Sequence, residues 1–282
     1  SLLLFIAAAI ATSALGQTQA DKKATVKKPK QEKAVKAPEA VVWNPNDDVF
    51  SADSKISPKF NGTSPKAIVE WISARYPTAK GEFEKQSEYD EKRMAVESQI
   101  FNKNYAFRAG NAFLSTLKYE KYDADSESYA PDKYRPISGA LKENIETRHS
   151  DLGTYSASNA YGRTVQVSKF YTENYGIVID SSHLLRSGMF SQEQYSGIKL
   201  AENLKVPIDI AKTINKDNIN FLFIGELESA TIKKESACLT PKIDSPFDGC
   251  SSSQYISVKP KKIVVYEYES GQILYEKHLE DL

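Results

Sequence analysis

Lys262 to Tyr268 and Gln272 to Lys277 are two runs rich in β-branched and aromatic side chains, separated by Glu269-Ser270-Gly271. A short polar connection ending in Gly, which tolerates positive φ, folds such runs back on each other as a hairpin. A lone hairpin is marginal in water, so a C-terminal hairpin over 262–277 demands a sheet to join. Further strands are expected upstream. Tyr105-Ala106-Phe107 and the stretch from Ala112-Phe113-Leu114 through Tyr119 and Tyr122 are short aromatic and aliphatic runs, and Thr164 to Phe170 alternates with period two. Tyr175 to Ile179 follows, with Thr172-Glu173-Asn174 read as a hairpin turn. Ile219 to Leu227 reads as a buried strand after a short helix from Asp209 to about Lys216.

Helical signals come earlier in the chain. Ser64 is a natural N-cap, Pro65 suits a first turn, Ile68, Trp71 and Ile72 recur at helical spacing, and Pro77 stops the run. Ser87-Glu88-Tyr89-Asp90 opens a second helix at Ser87, with Tyr89, Val96 and Ile100 on its inner face and an extended connector at Lys80 to Glu84. Helices first and strands later imply α+β: two early amphipathic helices packed on a mostly antiparallel β-sheet body of one or two lobes. No repeat and no Pro/Gly/Ser linker divides residues 60–282, which form a single body.

What precedes that body has a different character. Residues 1–16 run from Leu2-Leu3-Leu4-Phe5-Ile6 through alanines to Ala14 and Gly16, small residues suited to a cut before Gln17. They read as a signal peptide truncated at its start, since neither Met nor a basic region precedes them. The apolar run is shorter than the ~20 residues that cross a bilayer, and no transmembrane segment is expected in the mature chain. Residues 17–59 read as a Lys/Ala/Pro-rich flexible linker and lead-in. Seven Lys between Asp21 and Val42, interrupted by Pro29 and Pro38, suit a solvated spacer better than a dense membrane-binding cluster. Those seven Lys, set against Asp21, Glu32 and Glu39, hide an acidic excess in the rest of a chain whose formal net charge is zero. An acidic body argues against nucleic acid as a partner. Export also decides the two cysteines: Cys238 and Cys250 are expected to form a disulfide, because the segment between them offers only Asp244 and Asp248 as further metal ligands and no His.

Five fragments, in order, are Gly81-Glu82-Phe83-Glu84 with Ser87-Glu88-Tyr89-Asp90, Tyr122-Asp123-Ala124-Asp125, Ser158-Asn159-Ala160-Tyr161-Gly162, and Val265-Tyr266-Glu267-Tyr268 before Ser270-Gly271. Together they resemble an uncharacterised family of exported bacterial proteins, over about Ser64 to Tyr275. The resemblance implies a periplasmic or secreted setting and a mixed α/β body. It brings no established activity and no catalytic residues. The Cys pair and the stretch Ser181 to Gly197 have no counterpart in the family pattern.

Candidate chemistry is sparse. Asp180, Ser182 and His183 cluster after a strand, but the G-x-S-x-G elbow is missing and sequence neighbours point in different directions, so a polar turn with a solvated His is the simpler reading. His149 reads as an exposed loop residue and His278 as a surface residue. Glu82, Glu84, Glu88, Asp90 and Glu91 could supply a glycosidase pair, yet several fall in a first helical turn, where the helix dipole alone favours negative charge. Asp123, Asp125 and Glu127 have the spacing that opens a calcium loop, but Ser128 stands in place of its Gly and Tyr134 in place of its last carboxylate. No phosphate loop, dinucleotide fingerprint or zinc-protease motif is present, and no cofactor or metal is expected. With 16 Tyr in the chain, Tyr155, Tyr161, Tyr171 and Tyr175 form a candidate binding face, although sheet packing accounts for most Tyr. The reading is an exported cell-envelope binding module for a protein or envelope polymer; the alternative is a hydrolase using Asp180, Ser182 and His183 or a carboxylate pair in 82–91.

Overall fold

The computed structural model describes residues 43–47, 49–50, 56–109, 117–132, 139–193 and 197–279. The signal peptide expected at residues 1–16, most of the linker expected at 17–59 and the strand expected at Ala112 to Leu114 lie outside the described residues. In chain order the elements are α1 (Pro65–Arg75), α2 (Gln86–Ile100), β1 (Tyr105–Ala109), β2 (Tyr119–Asp123), β3 (Ser128–Pro131), β4 (Leu141–Ser158) and β5 (Thr164–Ile179). Then come α3 (Ser181–Arg186), β6 (Phe190–Glu193), β7 (Gly197–Leu200), β8 (Leu204–Lys205), α4 (Ile208–Ala211), β9 (Ile219–Leu227), β10 (Lys233–Leu239), β11 (Phe247–Glu267) and β12 (Ile273–His278). A 3-10 turn, Lys216–Asn218, leads into β9.

The body is mostly β, in mixed and antiparallel sheets with few helices, which is consistent with α+β. Its principal sheet is organised by β11, a strand of 21 residues. The first half of β11 pairs in parallel with β5 and antiparallel with β10. Both neighbours meet the same residues, so they occupy opposite edges. The second half pairs antiparallel with β9 and with β12. β1 then extends the sheet beyond β9, and β4 extends it beyond β5. Among the described strands β5–β11 is the parallel pair in an otherwise antiparallel set, and it requires the long crossover through residues 180–246.

The expected C-terminal hairpin region is occupied by β11 and β12, with Lys262 opposite His278 and Gly271 at φ 73° in the turn. Thr172-Glu173-Asn174 is not a turn. These residues lie inside β5, opposite His149, Arg148 and Thr147 of β4, because both flanking strands continue the ladder past them. The turn falls instead at 159–163, where the Asn159 side-chain oxygen accepts from the N–H groups of Tyr161 and Arg163. His149 therefore sits in a strand and not in a loop. The short helix expected from Asp209 to Lys216 is split into α4 and the 3-10 turn.

Ser64 caps α1 as its sequence implies, accepting from Ala67 N–H at 3.1 Å. Its own hydroxyl donates to Glu146 at 2.5 Å, tying the cap to β4. Ile68, Val69, Trp71 and Ile72 are buried, and α1 packs on β4, β5 and β11. The second helix starts at Gln86 with Lys85 at the N-cap, one residue before the expected start, and Glu88 accepts from Lys85 N–H at 3.3 Å. Only Val96 and Ile100 of α2 are buried, so most of its surface faces solvent. A polar cluster joins the two helices: the Tyr76 hydroxyl donates to Glu97 at 2.7 Å and accepts from Arg93 at 2.8 Å.

β9 is buried on both faces. Phe221 and Phe223 belong to the large core with Ile68, Tyr105 and Val265, while Leu222 and Ile224 join a second cluster with Ala106, Val264 and Tyr266. Such two-sided burial explains the near-continuous apolar sequence of this strand. The other half of the sheet extends past the core: every residue of β10 is exposed, as is most of β4 beyond Glu146. Cys238 and Cys250 face each other there at disulfide distance, with Cα atoms 4.1 Å apart, the spacing of directly opposed antiparallel residues.

Between the two halves, β11 carries a register shift at Pro260 to Lys262. Gly225 makes it possible, since a Cβ at that position would lie 2.1 Å from the Lys259 carbonyl oxygen and 2.7 Å from Pro260 Cα. Gly225→Ala is expected to cost about 2 kcal/mol or more, a magnitude typical of forced backbone displacement, measurable by chemical denaturation. Replacing both Cys238 and Cys250 by Ser should lower stability by about 3 kcal/mol on the chain-entropy account. Intact-mass analysis after alkylation should find no free thiol in the native protein; two modified cysteines would contradict the bonded pair.

Candidate functional site

Of the sequence candidates, His183 reaches a cavity. β5 ends at Ile179, and Asp180 then caps α3, accepting from Ser182 N–H at 2.8 Å. The Ser182 hydroxyl and then its N–H hold the Asp180 carboxyl below the ordinary carboxylate range. Capping turns Asp180 toward its own helix and leaves the ring of His183 to find another carboxylate. That partner is Glu228, just past the end of β9, at 3.0 Å from His183 Nε2. The ring is thus a mostly covered member of an ion-pair-competent contact, its side chain 18% exposed, and not the solvated turn residue expected from the sequence.

Beside this contact lies a cavity of about 330 Å³, lined by His183 and Arg186 of α3, Glu226 of β9, Lys259, Pro260 and Lys261 of β11, and Leu279. It is placed by the register shift of β11: Lys259 and Lys261 flank the buried Pro260, opposite Glu226 and Gly225 of β9. Lys261 reaches Glu226 at 2.7 Å. Arg186 and Lys259 are exposed and have no acidic partner among the described residues. Among the described residues the lining therefore offers imidazole, guanidinium, two ammonium groups and one carboxylate, and no side chain bearing a hydroxyl or thiol. A histidine oriented by Glu228 could move a proton, while the cations can neutralise an anion.

The other candidates are dispersed. Ser182 is exposed and lies outside the lining. Around the start of α2, Glu84 pairs with Lys92 at 2.6 Å and accepts from Gly81 N–H, Glu88 accepts from Lys85 N–H and Asp90 from Gln86, while Glu82 and Glu91 are exposed. The Lys92 ammonium first, and then the Gly81 N–H, hold the Glu84 carboxyl below its usual range. Asp123 accepts from the Ser126 hydroxyl and the Asp125 N–H, closing the β2–β3 turn. Among the described residues no group of three or more metal-ligating side chains converges.

Tyr155, Tyr161, Tyr171 and Tyr175 are spread along the β4–β5 pair and differ widely in burial. Tyr161 is almost fully exposed at the β4–β5 turn, while Tyr175 is buried in the core, some 30 Å or more away along β5. Tyr155 donates to Asp248 at 3.1 Å, and Tyr171 lies beside Cys250 in the parallel ladder. A second hollow of about 120 Å³ lies near the turn, lined by Val165, Val167, Pro241 and Ile243 among others.

Sequence reasoning missed Arg186, Glu226, Glu228, Lys259 and Lys261. Lys259-Pro260-Lys261 carried a usable signal, since Pro inside a strand marks a bulge and aims its neighbours irregularly. Among the described residues no helix is long and apolar enough to cross a membrane. Comparison of the chain with protein-family models, curated proteins and solved structures finds no match.

Asp180→Ala should lower stability by about 1 kcal/mol near neutral pH, the usual worth of an N-cap. Because the folded pKa is depressed, that contribution is present above the unfolded value of about 3.9 and is lost as pH falls through the lower folded value. The gap between variant and parent in urea melts should therefore narrow below about pH 4.

Proposed function

We propose that the chain is an exported bacterial cell-envelope protein, of the uncharacterised exported family it resembles, acting as a non-enzymatic binding module. Its partner is a protein or an envelope polymer. The observation that carries this reading is the lining of the cavity beside His183, which among the described residues gathers cations around a concave surface without a hydroxyl or thiol to attack a substrate. The apolar leader and the Cys238–Cys250 pair at disulfide distance support a periplasmic or secreted setting, since such bonds persist in oxidising compartments.

A hydrolase reading draws on the His183–Glu228 contact, which orients an imidazole as a general base requires. It needs a nucleophile or an activated water beside that ring, and Ser182 is directed to the cap of α3. The full chain is expected to give no turnover with a panel of ester, glycan and peptide substrates, and crosslinking pull-down from intact cells should recover a specific partner. Turnover that His183→Ala abolishes would establish the hydrolase in its place.

A further inference from the structure

We propose that the cavity between α3 and the irregular segment of β11 is a binding site for a phosphate ester carried on a small hydroxylated molecule. The inference rests on the binding reading above and adds a second, small ligand to the protein or polymer partner proposed there.

The charge arrangement leads there. Within the lining, Lys261 is matched by Glu226 and His183 by Glu228. Arg186 and Lys259 remain, one from a helix and one from a strand, each without an acidic partner among the described residues. Two unmatched cations turned toward one concavity repel each other, and an anion seated between them relieves that repulsion. Arg presents a planar fork of donors suited to two oxygens of one group, and Lys adds a point charge from the other side. A phosphate ester offers several oxygens in different directions, as donors arriving from separate elements require; a single carboxylate does so less well.

Size and the remaining lining define the rest of the molecule. The volume of about 330 Å³ lies near the lower end of the range for small-molecule sites, ~300–1,000 Å³, and exceeds what a bare oxyanion needs. Glu226 is only about a quarter exposed, and its oxygens can accept from ligand hydroxyls near the phosphate, while Glu228 stands behind the His183 ring. Their negative charge also disfavours a polyanion. Pro260 and Leu279 complete the wall with apolar surface, and Gly225 fixes the strand irregularity that holds Lys259 in place.

Calorimetric titration of the full chain with glycerol 3-phosphate, with glycerol as the control, tests the site. Saturable binding of the phosphate ester alone is expected, weakened about tenfold by Arg186→Ala or Lys259→Ala and abolished by the pair. Both side chains are exposed, so thermal melts of the variants should match the parent and separate a lost site from a lost fold. Parallel sedimentation with phosphatidylglycerol vesicles, against phosphatidylcholine vesicles, distinguishes a lipid headgroup from a free ligand. Vesicle binding that needs Arg186 and Lys259, without a glycerol 3-phosphate signal, supports the site with the headgroup as its source. Neither probe binding, or binding unchanged in the double variant, overturns the proposal. Turnover of the substrate panel with phosphate binding intact would sink only the non-enzymatic reading.

Discussion

The architecture depends on β11, which is paired with a strand on at least one edge along nearly all of its length and on both edges over residues 249–255 and 262–266. At 21 residues it is about twice as long as the longest ordinary strands, and it spans roughly 70 Å. No single layer of helices covers such a length. The strand accordingly changes neighbours part-way, from β5 and β10 to β9 and β12, and the change coincides with the irregularity at Pro260. Pro has no N–H to give the ladder, and Gly225 opposite it has no Cβ to resist the approach. Those two residues create a place where side chains from β9, β11 and α3 converge around a hollow. The cavity is thus a consequence of how the sheet solves its length.

The two halves are held by different physics. Around the second half, Phe221, Phe223, Ile263 and Val265 face a core completed by Ile68, Ile72 and Trp71, and burial supplies the stability. The first half has little such burial beyond Tyr175. It relies on backbone ladders and short polar cross-strand contacts: Thr147 to Asn174 at 2.9 Å, Asn174 to Ser253 at 3.1 Å, and Ser158 to Thr164 at 2.7 Å. Phe170 lies against Gly249 in the neighbouring strand, covering backbone that has no side chain of its own. A cross-strand disulfide contributes most where apolar burial contributes least, which gives the position of Cys238 and Cys250 its physical sense.

Much of this was legible in local signals. Ser64-Pro65 places the start of α1, and the continuous apolar run 219–227 marks a strand buried on both faces. Pairings set by distant partners were not legible. Thr172-Glu173-Asn174 has the composition of a turn, but β4 and β11 both bond past it, and tertiary pairing overrides local preference. The parallel contact of β5 with β11 leaves no mark on either strand, since both read as alternating. At the site, His183 was identified with the wrong carboxylate: Asp180 is three residues away in sequence, whereas Glu228 arrives from β9. Adjacency along the chain favoured a cap, and only the fold could bring a second acid to the ring.

The exposed half of the sheet poses a hazard that its sequence meets directly. β4 is an 18-residue edge strand, and a long flat edge is a template for pairing with other chains. Two register irregularities, at Asn144/Glu146 and at Asp151/Thr154, break the regularity such pairing needs. Lys142, Glu146, Arg148 and Asp151 add charges of both signs along the same edge. An edge defended this way is poorly suited to strand addition by a partner, so recognition on this molecule is better sought at side chains than at open backbone. The concave surface between α3 and β11, with unmatched guanidinium and ammonium groups, is where side-chain chemistry has been left unfinished.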